Sequence, residues 1–146
     1  MSRGTSPLSG VSASGGPGCH GRIDRADDPA LPPAVLVAAH DDAPPGVVRE
    51  VCAGAEEQGV PTALLDPPGG DAGTADDAGR HAAGESRLEV GVGIDAAGGV
   101  VVRHALVPDA VLALDAGSSA TDLRVLGGDA ARIVAGLPLR TVPTPS

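Results

Sequence analysis

"PAVLVAAHDDAPPGVVREVCAGAEEQGVPTALLD", residues 33–66, decides the fold. Residues 33–40, "PAVLVAAH", form an apolar run bounded by proline and by "DDAPPG", the pattern of a buried strand. "GVVREVCAGAEEQG" (46–59) follows with helical periodicity, and Gly59 and Pro61 close it, one as a left-handed cap and the other as a residue that cannot continue a helix. "TALLD" (62–66) is a second short strand. A strand returning to a strand through a helix is the unit of a parallel α/β sheet.

One detail of this unit breaks a local rule. Glu56 and Glu57 lie in the last helical turn, where the macrodipole is negative and exposed carboxylates are disfavoured by about 0.3–1 kcal/mol each. At 100° per residue, Val48, Val51, Cys52 and Ala55 share one face, while Glu50 and Glu57 superpose on the opposite one and Glu56 lies to the side near Arg49. Glu57 therefore points away from its own core. Two readings stand: a solvated acidic face that tolerates the penalty, or an acid neutralised by a hard cation or by an arginine of a partner chain. One outward carboxylate is too few for a private magnesium or calcium site, which wants about six oxygen ligands. A site shared across a subunit boundary meets that need.

Downstream, the loop "PPGGDAG" (67–73) leads to "TADDAGRHAAGES" (74–86), a weak alanine-rich helix, and "EVGVGID" (89–95) is a third strand. "AAGG" then joins two β-rich runs as an antiparallel hairpin, and "AVLALDAG" (110–117) is a last strand. A closing helix begins at the Ser119/Asp122 capping pair and carries Leu123, Leu126, Ala130, Ile133, Val134 and Leu137 at helical spacing. Gly127-Gly128 weakens or bends that helix and permits close approach of another backbone. The expected fold is a single α/β domain over residues 34–141: a mostly parallel open sheet with one antiparallel hairpin. A Gly/Ser/Pro-rich, disordered extension (1–33) precedes it and a tail (142–146) follows.

Composition narrows the chemistry. The chain has 146 residues, 42% of them hydrophobic and none aromatic, so the core is aliphatic. All ten basic residues are arginine. Without lysine there is no Schiff-base chemistry, no phosphate-loop nucleotidase and no response-regulator receiver. A net charge of −9 with no aromatic stacking platform disfavours nucleic acid. No apolar run reaches the roughly 20 residues that cross a bilayer, and residues 1–33 lack the apolar core of a secretory signal. With only Cys19 and Cys52, a disulfide framework is not expected and a reducing, cytoplasmic setting is.

Candidate sites are few. "GVGID" (91–95) has G-x-G inside a strand with no third glycine opening a helix, so Gly91 and Gly93 are read as room for a packed helix, not as a dinucleotide fingerprint. "HDD" (40–42) stands at the carboxyl end of the first strand, where open α/β sheets bind ligands, yet its acids read as solvated loop residues. Cys19-His20 alone makes no metal site. His81 and His104 have no partner at triad or metal spacing, and "GSS" (117–119) reads as strand exit and helix cap. No nucleophile, base and oxyanion donors assemble, so the expectation is a non-catalytic domain with no cofactor of its own.

Three stretches in order, "VVREVCAGAEEQGVPTALL", "RLEVGVGIDAAGGVVVRHALVPDAVLALDAG" and "LRVLGGDAARIVAGLPLR", resemble the small subunit of glycerol/diol dehydratase reactivase. The resemblance implies a fold like that of the dehydratase β (medium) subunit and a chaperone-like role. Such a reactivase restores inactivated adenosylcobalamin-dependent dehydratase by ATP-driven subunit exchange, which releases damaged cobalamin. It implies as partners a large subunit carrying ATP/ADP, in an α2β2 assembly, and the dehydratase itself, in the cytoplasm with or without a bacterial microcompartment. It also implies that a glutamate of the E-E-x-G turn, here Glu57, reaches a Mg2+ or Ca2+ ion held mainly by the large subunit. This chain departs from the pattern in lacking aromatic contacts. Two other readings compete: the dehydratase β subunit, which continues past the point where this chain stops, and a small-ligand-binding α/β domain using the "HDD" strand end.

Overall fold

The computed structural model describes residues 33–67 and 73–136. The expected extension (1–33), most of the 67–73 loop, Cys19-His20, Leu137 and the tail (142–146) therefore lie outside or at the margin of the described residues. Among the described residues, five strands and three helices follow in the order β1 (Val35–Ala39), α1 (Pro45–Glu57), β2 (Thr62–Leu65), α2 (Ala75–Glu85), β3 (Val90–Ile94), β4 (Val100–His104), β5 (Leu112–Leu114) and α3 (Ala120–Ala135). The sheet order is β2-β1-β3-β4-β5. β1 pairs in parallel with β2 and β3, whereas β3–β4 and β4–β5 are antiparallel. Four strands thus point the same way and β4 alone runs against them. The expected α/β class with one reversed hairpin holds, in a mixed five-stranded sheet.

The two faces of the sheet carry clusters of different extent, the second smaller and richer in alanine. Val35 and Val37 of β1, Val90, Val92 and Ile94 of β3, and Val100 and Val102 of β4 meet Val51, Leu123, Leu126 and Ala130 of α1 and α3 in the main core. On the other face, Leu36, Ala38, Ala63 and Leu65 meet Ala78 and Ala82 of α2. Strand periodicity explains the split, since neighbouring residues point to opposite faces. The α2 face is thin because α2 lies almost on the backbone of β3. A Cβ on Gly91 would overlap Ala82 and Ala83, and one on Gly93 would overlap Ala75 and Gly79. That is the room for a packed helix expected of the two glycines.

Local chemistry sets the element ends. Thr74 Oγ1 accepts the Asp77 N–H at 3.0 Å and Ser119 Oγ accepts the Asp122 N–H at 3.1 Å, capping α2 and α3. Gly59 takes φ +84° after α1, with its N–H on the Glu56 carbonyl at 2.9 Å and the Val60 N–H on that of Ala55 at 3.3 Å. This is the Schellman pattern that satisfies orphan carbonyls at a helix end. Asp95 Oδ1 accepts from the N–H groups of Ala97 and Gly99, which tightens the β3–β4 turn. Cys52 is wholly buried and disulfide-bonded, which departs from the expectation of reduced thiols at that position. A single bridge is still not the multiple-disulfide framework of a small secreted scaffold.

Candidate functional site

α1 and α3 both pack on the main-core face, and glycine decides how closely they approach each other. A Cβ on Gly54 would overlap the carbonyl of Arg124, and one on Gly127 would overlap that of Val51. The backbones are therefore in direct contact, the close approach expected of Gly127-Gly128. Glu50, Gly54 and Glu57 stand at i, i+4 and i+7 on one helical stripe. The stripe that the helical wheel assigns to solvent faces α3.

Arg124, one turn before Gly128, lies across this stripe. Its Nε donates to Glu50 Oε1 at 2.9 Å, and Nη2 lies 2.7 Å from the same oxygen. Its Nη1 donates to Glu57 Oε2 at 3.2 Å. Glu50 is 18% exposed, Arg124 42% and Glu57 50%. Docking through Glu57 as expected needs that acid unneutralised in the lone chain, and fails in that form if an arginine of its own subunit already pairs with it. Arg124 is such an arginine, so that form of the expectation is corrected here, and a docking role for Glu57 requires this contact to be released. The wheel gave the direction of Glu57 correctly and its surroundings incorrectly, because periodicity within one helix carries no information about which helix lies alongside. Gly54 between the two glutamates was the available sign that another backbone passes there.

Glu56 is placed elsewhere. It accepts the hydroxyl of buried Thr62, the first residue of β2, at 3.0 Å. Adjacent acids thus serve different partners, Glu56 the return into the sheet and Glu57 the groove between helices. That groove has a volume of about 420 Å³ and is lined by Glu50, Glu57, Ala120, Thr121, Arg124 and Val125. The small residues at the start of α3 leave it open beside the Glu57 carboxylate.

The remaining candidates do not converge on it. In "HDD", His40 Nδ1 accepts the Asp42 N–H at 2.9 Å, making a tight turn with Asp41 and Asp42 exposed. His104 Nδ1 accepts the Leu106 N–H at 3.1 Å, the satisfied strand residue expected of it. His81 is half-buried on α2, and Ser119 is the helix cap already described. Among the described residues no three His, Cys, Asp or Glu side chains gather as a metal cluster. Glu50, Glu57 and Thr121 offer only oxygen donors, the type that suits a hard divalent cation, but too few to complete its shell. With the Arg124 guanidinium among these oxygens as well, the groove does not by itself hold such an ion.

Comparison with known proteins matches residues 32–140 to a family described as dehydratase medium subunit. A protein of Citrobacter freundii named "Probable glycerol dehydratase-reactivating factor small subunit" is 34% identical over 98 residues, 66% of this chain and 82% of that one. Among solved structures, a glycerol dehydratase reactivase chain superposes with a TM-score of 0.71 at 35% identity, covering 75% of this chain and 98% of that one. A chain from diol dehydratase-reactivating factor complexed with ADP and Mg2+ superposes with a TM-score of 0.68 at 34% identity, covering 76% and 100%.

Proposed function

The chain belongs to the dehydratase medium-subunit family, among the small subunits of glycerol and diol dehydratase reactivases, and from that premise we propose that it is the exchangeable accessory subunit of such a reactivase. In this reading it joins a large subunit that binds ATP and ADP, in an α2β2 complex. It gives way there to the dehydratase β subunit, so that inactivated, adenosylcobalamin-dependent enzyme loses its damaged cofactor. Glu57 is the docking acid: its carboxylate adds one oxygen to a divalent ion held chiefly by the large subunit. Such an ion supplies concentrated positive charge at the boundary.

The observation that carries this reading is the position of Glu57, half-exposed at an open groove on the E-E-x-G turn and held, among the described residues, by one 3.2 Å contact. The ADP and Mg2+ of the diol dehydratase-reactivating factor structure support nucleotide and metal in an assembly of this kind. The test is co-expression of the full chain with the large subunit and with dehydratase, with and without ATP. Wild type is expected to co-purify with the large subunit. Glu57→Gln is expected to lose about tenfold in affinity in magnesium and little in chelator. Equal affinities for the two proteins in magnesium would remove Glu57 from the docking role.

The description of the matching family favours one second reading, the dehydratase medium subunit itself. The two separate on activity. A medium subunit supports diol turnover as part of the enzyme, whereas a reactivase subunit restores turnover to enzyme that is already complete and inactivated.

A further inference from the structure

We propose that Arg124 is a built-in stand-in for the partner's cation: it occupies Glu57 in the free subunit and yields it when the divalent ion of the large subunit arrives. The inference rests on Glu57 being the docking acid.

Three observations carry it. The grip of Arg124 is uneven, with two nitrogens at 2.9 and 2.7 Å on the largely buried Glu50 and one at 3.2 Å on the half-exposed Glu57. A charge-assisted contact shielded from water is strong, whereas a single exposed one is weak, so Glu57 is the partner that lets go. The root of Arg124 is also pinned, because its carbonyl abuts Gly54. The guanidinium therefore stays on Glu50 when Glu57 leaves, and no buried charge is stranded. Finally, two carboxylates face one guanidinium, so the trio keeps a unit of negative charge that a cation entering the open groove can answer.

The consequence is a subunit that stays neutral enough at this surface to exist alone and is selective for a partner loaded with metal. Removing Arg124 should make docking tighter, the opposite of what a plain structural salt bridge does. Binding of the full chain to the large subunit would be measured calorimetrically in magnesium chloride and in EDTA at matched ionic strength. Arg124→Gln is expected to tighten binding about twofold to fivefold in magnesium, the range that an exposed ion pair spans. In EDTA, or in a Glu57→Gln background, it should bring no gain. Arg124→Lys, with one nitrogen for Glu50 and none left for Glu57, should shift affinity in the same direction and serves if glutamine disturbs the helix pair. Unchanged or weaker binding of both variants in magnesium, with wild type still metal-dependent through Glu57, overturns the stand-in role and leaves the docking acid standing. Wild-type binding that ignores magnesium overturns both.

Discussion

At the scale of single residues, Arg103 shows what a buried charge does here. It leaves β4 beneath α2, donates Nη1 to Asp76 at 2.9 Å and Nη2 to the Pro108 carbonyl at 2.8 Å, and so ties the start of α2 to the β4–β5 loop. Its Nε is buried without a partner among the described residues. Asp76 is 45% exposed and can return to water if the arginine is lost, whereas the packed aliphatic stem cannot be replaced by solvent. Arg103→Met is therefore expected to cost about 1–2 kcal/mol, the scale of lost charged hydrogen bonds and below the roughly 3–5 kcal/mol of a fully buried broken pair. The midpoint of urea unfolding checks it, and an unchanged midpoint would show that the contacts to Asp76 and Pro108 contribute nothing net. Glu57 is the contrasting residue: its pairing is exposed and weak, which suits a contact that must be released.

At the scale of elements, helix approach is governed by whether a glycine has space around it. Gly127 on α3 and Gly54 on α1 have none, since an added Cβ would overlap the carbonyls of Val51 and Arg124. Gly84 on α2 has open space. Gly127→Ala gains up to about 1 kcal/mol of helix propensity and loses more to overpacking, for a net destabilisation of about 1–3 kcal/mol. Gly84→Ala gains about 0.5–1 kcal/mol with nothing to oppose it. Thermal melts of the two variants should move in opposite directions, and shifts of the same sign would contradict the close contact of α1 and α3. Helices, strands and caps were legible in order because each rests on local pattern: the apolar 33–40 run, the Ser119/Asp122 spacing, and Gly59 before Pro61. The α1–α3 pairing was legible only in part, as glycines expecting an unnamed neighbour.

At the scale of the whole molecule, one sheet serves as the floor of both helical layers, with a larger, valine-rich cluster toward α1 and α3 and a smaller, alanine-rich cluster around Leu36 and Leu65 toward α2. Val35 and Leu36 are consecutive residues of β1 and belong to opposite layers, so neither layer can open without disturbing the other. Urea unfolding should follow a single transition. Arg103→Met and Gly127→Ala, on opposite faces, should move the same transition rather than split it, and two resolved transitions would mean that the layers unfold independently. The sequence by itself determined the α/β class, the element order and the aliphatic core, because periodicity and turn chemistry act within a few residues. Only the tertiary structure decided that Glu50 and Glu57 share Arg124, that Glu56 belongs to Thr62, and that a groove opens between α1 and α3. Those contacts join residues up to 74 positions apart, and what a side chain meets at that distance is set by how the sheet stacks its helices, which no local pattern encodes.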